Sequence, residues 1–386
     1  MRVVGFLPVR GGSKSIPKKN IRRLCGRPLL FWTLDELLET CDEVYVCTDS
    51  DEIKAKVSSS YVAVPSLRVI DRPIETASDD ASSESALLDF CRRVDSEVVV
   101  FAQATSPLIE AKYIREGIKI LSSGFDSVLS VVRQKRFTWE THGQEGLPSN
   151  YNPFKRPRRQ NFDGYLVENG SFYISSRSAI LESKCRISGR VGLVEMPEET
   201  YFEIDEPTDW VIVEDLMKQR MEKSKVLSRI ELLVLDIDGV FTDGSMYYSN
   251  NGEAFKRFNT KDGMAVQIAR ENGITVAIIT GESSDINLKR MQKLKVDHLL
   301  QGITDKYYVL KKLVSNMGIS FMNTAYVGDD INDEACLLGA GMSFAPSDAE
   351  EKAKKSADFL LSRMGGSGAV REAVERIIEF NKRNGG

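Results

Sequence analysis

With 386 residues, the chain is longer than one hydrophobic core usually serves, so two domains are expected. A content of 42% hydrophobic and 28% charged residues is that of a globular protein and excludes fibrous and disordered classes. Lys plus Arg number 52 against 56 Asp plus Glu, and the net charge of -4 gives no reason to expect nucleic acid, so any anionic partner must be met by a local cluster.

In chain order, short apolar runs alternate with amphipathic stretches. VVGFLPV at 3–9 reads as a strand, PLLFWTLDELLET as a helix, EVYVCT at 43–48 as a strand, and EVVVFAQ at 97–103 as another behind a helical run. This rhythm predicts βαβ units and an α/β fold with a mostly parallel sheet. A polar helix over 207–225 opens with Pro-Thr-Asp and ends in a basic tract, which closes a first domain at 1–225. A second series of apolar runs starts at LLVLDID (232–238) and continues with ITVAIIT (274–280), VDHLL (296–300), NTAYVG (323–328) and ADFLL (357–361), giving a second domain at 229–386. Within it, aromatic and β-branched runs flank Ser249-Asn250-Asn251-Gly252, a hairpin signal, so a β-hairpin flap is expected and no separate cap domain. The six cysteines form no C-x-x-C pair, which suits free, mostly buried thiols in a reducing compartment. The first strand carries no signal-peptide pattern and no apolar run reaches membrane-spanning length. A cytoplasmic protein without membrane contact is expected.

The first strand runs into Arg10-Gly11-Gly12-Ser13-Lys14-Ser15-Ile16-Pro17-Lys18-Lys19-Asn20. Glycines let backbone approach an anion closely, and Arg10, Lys14 and Lys19 can neutralise phosphate charge, so a nucleoside triphosphate fits this loop better than the blander reading of a solvated basic turn. A P-loop is disfavoured, because Ser13 and Pro8 stand where that motif needs glycines. Further along, Glu203-Ile204-Asp205 places two carboxylates two residues apart, able to face one cation if the segment is extended. Mg²⁺ favours such oxygen ligands.

The loop, DRPIETASDDASS (71–83), AQATSPL (102–108) and NPFKRPRRQNFDGYLVENGSFYI (152–174) together resemble the CMP-sialic acid synthetases. The resemblance implies a nucleotidyltransferase-type mixed sheet. It implies CTP held by Arg10, Gly11, Gly12, Ser13, Lys14, Lys19, Asn20, Arg72 and Ser83, and a sialic acid held by Gln103, Arg158, Asn169, Gly170 and Tyr173. It also implies Mg²⁺ on Asp205 and Glu203, the latter standing where the family carries Asp, with Lys19 and Arg10 as the groups stabilising charge at the α-phosphorus. Taken alone, the tract Lys155-Arg156-Pro157-Arg158-Arg159 could be a nuclear localisation signal or a nucleic-acid patch, a solvated basic loop being the blander reading.

In the second domain, LLVLDIDGVFTDG puts Asp236 and Asp238 at the carboxyl end of a strand, where open parallel sheets bind ligands. An Asp pair at a strand end is often only a turn former. Here Thr280, Lys306 and Asp329-Asp330 follow at the ends of later strands or the heads of helices. That order resembles the haloacid dehalogenase phosphatases, and within them the 3-deoxy-manno-octulosonate 8-phosphate phosphatases, which implies a Rossmann-like domain without a cap and a homotetramer built through the hairpin. The implied roles are Asp236 as nucleophile, Asp238 as acid and base, Thr280 and Lys306 as phosphoryl holders, and Asp236, the Asp238 carbonyl and Asp329 as Mg²⁺ ligands with Asp330 and Asp333 in support. The two resemblances imply a bifunctional enzyme that removes the 9-phosphate from a sialic acid phosphate and couples the free sugar, N-acetylneuraminate or Kdn, to CMP. The competing expectation is a second domain that serves only as a tetramerisation platform.

Overall fold

In the computed structural model, which describes residues 1–77, 82–225, 228–250 and 252–384, the chain divides by compactness into two units. One comprises Met1–Arg22 and Pro28–Val213, the other Arg23–Arg27 and Glu214–Gly386. Residues 78–81 of the expected arginine and serine segment, and Asn251 of the expected hairpin turn, lie outside the described residues.

The first unit is built on β1 (Val3–Pro8), β2 (Glu43–Thr48), β3 (Leu67–Asp71), β4 (Val98–Ala102), β5 (Ser127–Gln134), β6 (Tyr165–Ser176) and β7 (Val191–Met196). They form one seven-stranded sheet in the order β7-β5-β6-β4-β1-β2-β3. All pairings are parallel except those of β6, which runs antiparallel to both β4 and β5, so the sheet is mixed. The register of β6 on β5 shifts between Glu168 and Tyr173, and Gly170 supplies the positive φ of 67° within that irregular stretch. Central strands buried on both faces read as continuous apolar runs, as β4 (VVVFA) does. The helix Ser83–Arg93 is capped by the Ser82 side chain and turns Ala86, Leu87, Phe90 and Cys91 inward. Phe90 then stacks on Phe6 with ring centroids 4.5 Å apart.

The second unit carries β8 (Leu232–Leu235), β9 (Thr275–Ile279), β10 (His298–Leu300), β11 (Thr324–Val327), β12 (Met342–Ala345) and β13 (Phe359–Leu360), a six-stranded sheet in the order β10-β9-β8-β11-β12-β13, parallel throughout. Period-two alternation splits β8 between two cores. Leu233 and Leu235 join Val276, Ile278 and Val327 on one side, while Leu232 and Val234 join Ala277, Ile279 and Tyr326 on the other. The expected hairpin forms from Tyr247–Ser249 and Gly252–Phe255, paired antiparallel. Of the cysteines, Cys25, Cys41, Cys47, Cys91 and Cys336 are buried free thiols and Cys185 is half-buried. No helix among the described residues is long and apolar enough to cross a membrane.

Candidate active sites

The loop leaving β1 is shaped by its own polar groups. Asn20, buried, donates to the Arg10 carbonyl at 2.9 Å, and the Gly11 amide donates to Asp49 at 2.9 Å. A Cβ on Gly11 would sit 2.8 Å from that of Ser50, whereas Gly12 has open space around it. Lys19 reaches across to the acidic segment, donating to the Ile204 carbonyl at 2.8 Å and to Asp205 Oδ1 at 3.1 Å. These elements wall a cleft of about 290 Å³ at the carboxyl ends of β1 and β4. Of the residues expected from sequence, Arg10, Lys19, Asn20, Arg72, Ser83, Gln103, Glu203 and Asp205 line it together.

Gly170 sits behind this wall. Its left-handed backbone lies so close to the Glu203 carboxylate and the Gln103 amide that no side chain fits, and its carbonyl accepts from Gln103 Nε2 at 2.7 Å. Burial, and then the neighbouring Asp205 charge, push the Glu203 carboxyl up to about 7. A buried carboxyl of raised proton affinity beside a second carboxylate suits a cation.

Other expected residues lie outside the cleft lining. Gly11, Gly12, Ser13 and Lys14 are in the loop but do not wall the cleft, and Arg158 is exposed on its own turn. Asn169 and Tyr173, expected as sugar contacts, are buried and bonded to neighbouring protein groups. The Asn169 amide donates to Thr200 at 3.0 and 3.2 Å, fixing the turn Glu198–Tyr201. The Tyr173 hydroxyl donates to Glu168, and its ring lies 4.8 Å beneath the Arg186 guanidinium. Phe101 lines the cleft without having been singled out from sequence, and so does Thr105, although it lies within AQATSPL.

The second unit gathers its acids at the carboxyl ends of β8 and β11. Asp236 accepts from the Ile237 amide at 2.7 Å and from Lys306 Nζ at 2.6 Å. Lys306, itself buried, also donates to Asp333 Oδ1 at 2.8 Å. Asp333 is further held by the Tyr326 hydroxyl at 2.6 Å and the Asp329 and Asp330 amides at 3.1 and 3.3 Å. Burial opposes the charge on Lys306, but Asp236 and Asp333 outweigh it, and its proton affinity is raised. Carboxylate oxygens of Asp236, Asp329 and Asp333 lie within 4.8 Å of one another. Asp329 Oδ1 is buried with no hydrogen-bond partner, and burial followed by the charges of Asp333 and Asp236 pushes that carboxyl up to about 8. An orphaned oxygen among three acids fits a divalent cation.

Gly239 explains the glycine of the DIDG turn: at φ 83° it abuts the Asp329 carboxylate, leaving no room for a Cβ. Asp238 is gripped by Lys256 Nζ at 2.8 and 2.9 Å. Asp330 accepts from the Ile331 amide at 2.6 Å, and Asp333, expected as a supporting ligand, joins Asp236 and Asp329 in the carboxylate cluster. Asp236, Asp238, Thr280, Asp329 and Asp330 all line a cleft of about 320 Å³. Lys256 was not legible as a site residue, because its place follows from the hairpin's return path.

Each unit thus presents a polar cleft at the carboxyl ends of its strands, where lysines meet clustered acids, which defines an α/β enzyme of phosphoryl chemistry with two modules. Residues 4–233 match the cytidylyltransferase family, and residues 284–370 match haloacid dehalogenase-like hydrolases. The N-acylneuraminate cytidylyltransferase of Oncorhynchus mykiss is 33% identical over 99% of this chain and 89% of its own length. The second unit's region is 40% identical to the 3-deoxy-D-manno-octulosonate 8-phosphate phosphatase of Escherichia coli (strain K12), over 39% of this chain and 79% of that protein. A structure of the corresponding Moraxella catarrhalis phosphatase, in complex with magnesium, phosphate and KDO, is 33% identical over 44% of this chain and 95% of that one, with a TM-score of 0.39. The chain belongs to the cytidylyltransferase family, with a haloacid dehalogenase-type hydrolase domain following in the same polypeptide.

Proposed function

We propose that residues 1–225 transfer CMP from CTP to a free sialic acid, N-acetylneuraminate or Kdn, with release of pyrophosphate, and that residues 229–386 hydrolyse a nonulosonate 9-phosphate. The observation that carries the reading is the contact of Lys19 with Asp205 in a cleft that also holds Arg10, Arg72 and Gln103, in a chain whose full-length relatives are named N-acylneuraminate cytidylyltransferases. The anomeric hydroxyl attacks the α-phosphorus of CTP, and Lys19 and Arg10 stabilise the charge that gathers on the phosphoryl oxygens. Glu203 and Asp205, which line this cleft, would hold Mg²⁺, which supplies further charge neutralisation when bound.

In the second unit, Asp236 attacks the phosphorus as the sugar oxygen leaves, giving an aspartyl phosphate, while Lys306 and Thr280 hold the phosphoryl oxygens. Asp238 donates a proton to the leaving oxygen and takes one from the water that then releases phosphate. Asp236 and Asp329 would hold a second Mg²⁺, whose chemistry is again to neutralise phosphoryl charge, and Asp333 fixes Lys306 beside them. The platform reading keeps one observation of its own: Tyr247, Tyr248 and Phe255 on the hairpin are exposed, as a surface that assembles subunits would be. We place the protein in the cytoplasm, with a nuclear location through residues 155–159 as the alternative.

Asp236→Asn is expected to abolish phosphate release from N-acetylneuraminate 9-phosphate while pyrophosphate release from CTP and free sugar persists, and Lys19→Ala to do the reverse. Loss of both activities in both variants refutes the assignment of two sites. A wild-type chain that releases no phosphate from any nonulosonate phosphate leaves the platform reading.

A further inference from the structure

The second unit includes five residues from near the start of the chain, Arg23–Arg27. They form a tight turn in which Cys25 and Gly26 both adopt left-handed backbone, φ 46° and 79°. Arg27 is buried, and its guanidinium forks onto Asp305, with Nε 3.1 Å from each carboxylate oxygen and Nη2 2.6 Å from Oδ2. Asp305, also buried, accepts from the Tyr308 amide at 3.3 Å and so caps the helix Lys306–Met317. The first residue of that helix is the lysine that grips Asp236 and Asp333.

The same turn braces a second helix. A Cβ on Gly26 would lie 2.8 Å from Glu334 Cβ and 2.9 Å from the Ala335 amide nitrogen, at the head of the helix Glu334–Gly339 that directly follows Asp333. Five residues therefore press on the starts of both helices from which Lys306 and Asp333 reach each other. A buried ion pair is a poor source of net stability, because desolvating both charges costs about as much as their attraction returns. What a planar, forked pair does supply is orientation.

We infer that Arg27 is a positioning residue of the phosphohydrolase site, which through Asp305 fixes where Lys306 presents its ammonium group to Asp236. The inference rests on the phosphohydrolase reading above. Misplacing a group at reacting atoms by about 1 Å can cost on the order of 10²-fold in rate, so a clamp one residue from Lys306 has leverage on kcat.

The test uses the full chain with Mg²⁺ and N-acetylneuraminate 9-phosphate, with p-nitrophenyl phosphate as a second probe. Two variants are compared: Arg27→Lys, which keeps the charge and loses the fork, and the double variant Arg27→Met with Asp305→Asn, which leaves no lone charge buried. In the double variant we expect kcat for phosphate release to fall roughly 10- to 100-fold with KM within about twofold, and the lysine variant to fall between it and wild type. Amide hydrogen exchange over residues 305–309 accelerates, the unfolding midpoint stays near wild type and pyrophosphate release is unchanged. A double variant that folds and keeps both kcat and protection over 305–309 overturns the inference, as does a loss of kcat that merely tracks a lowered unfolding midpoint. If wild type releases no phosphate from either probe, the phosphohydrolase reading fails. Exchange at 305–309 then decides the clamp by itself, and unchanged protection in the double variant overturns it.

Discussion

Gly170 carries two constraints that its neighbours do not. Its φ of 67° costs an L-residue roughly 1–2 kcal/mol, and its missing side chain leaves the space against which Glu203 and Gln103 rest. Gly170→Ala is therefore expected to lower pyrophosphate release at least about tenfold by displacing Glu203, with phosphate release unaffected, and paired steady-state assays check this. An alanine variant of wild-type transferase activity would show that Glu203 has no fixed place in the reaction. At this scale the sequence was readable wherever backbone and charge act together over a few residues. The Arg10 to Asn20 loop, Glu203 with Asp205 and the DIDG turn each build part of a site from adjacent positions, so their spacing carries the geometry. The protein partners of Asn169 and Tyr173 were not legible, because motif spacing places a residue on a strand but says nothing about which buried partner its polar atoms reach.

Among elements, the joint between the helix Ser83–Arg93 and the loop after the helix Arg177–Ser183 is electrostatic. Arg186 donates to Glu84 at 2.5 Å while lying over the rings of Phe101 and Tyr173. The Arg186 hydrogen bond holds the Glu84 carboxyl below its ordinary range, so folding favours the ionised form. That contribution is complete above the ordinary glutamate pKa and is lost as pH falls through the lower, folded-state value. Glu84→Gln is thus expected to lower the unfolding midpoint near pH 7, by a margin that shrinks as the pH falls below the ordinary glutamate value, read by thermal melts across that range. An equal gap at both ends would mean that packing, not charge, holds the joint. Element type was legible from period and capping, since Ser82 before the helix and β-branched runs in the strands act locally. The antiparallel direction of β6 was not, because direction depends on which neighbours a strand finds.

For the whole molecule, the hairpin is an exposed aromatic surface that a partner could cover. Tyr248 is 69% and Phe255 57% exposed, and the paired strands Tyr247–Ser249 and Gly252–Phe255 are too short to hide them. If this face assembles the homotetramer expected from sequence, Tyr248→Glu with Phe255→Glu should reduce the mass measured by light scattering to that of smaller species. Pyrophosphate release should continue, because the transferase cleft lies in the other unit. An unchanged mass would remove the hairpin from the assembly.

Two successive series of strand and helix signals, a phosphate-suited loop and an ordered set of aspartates, threonine and lysine were all encoded locally, and from them the α/β class, the two-module plan and most cleft residues could be read. The tertiary structure alone decided the placement of Lys256 on Asp238, Asp333 on Lys306 and Arg27 on Asp305. Each of these pairs joins residues well apart in the chain, and burial gives an ion pair its meaning only once the surrounding elements have excluded water.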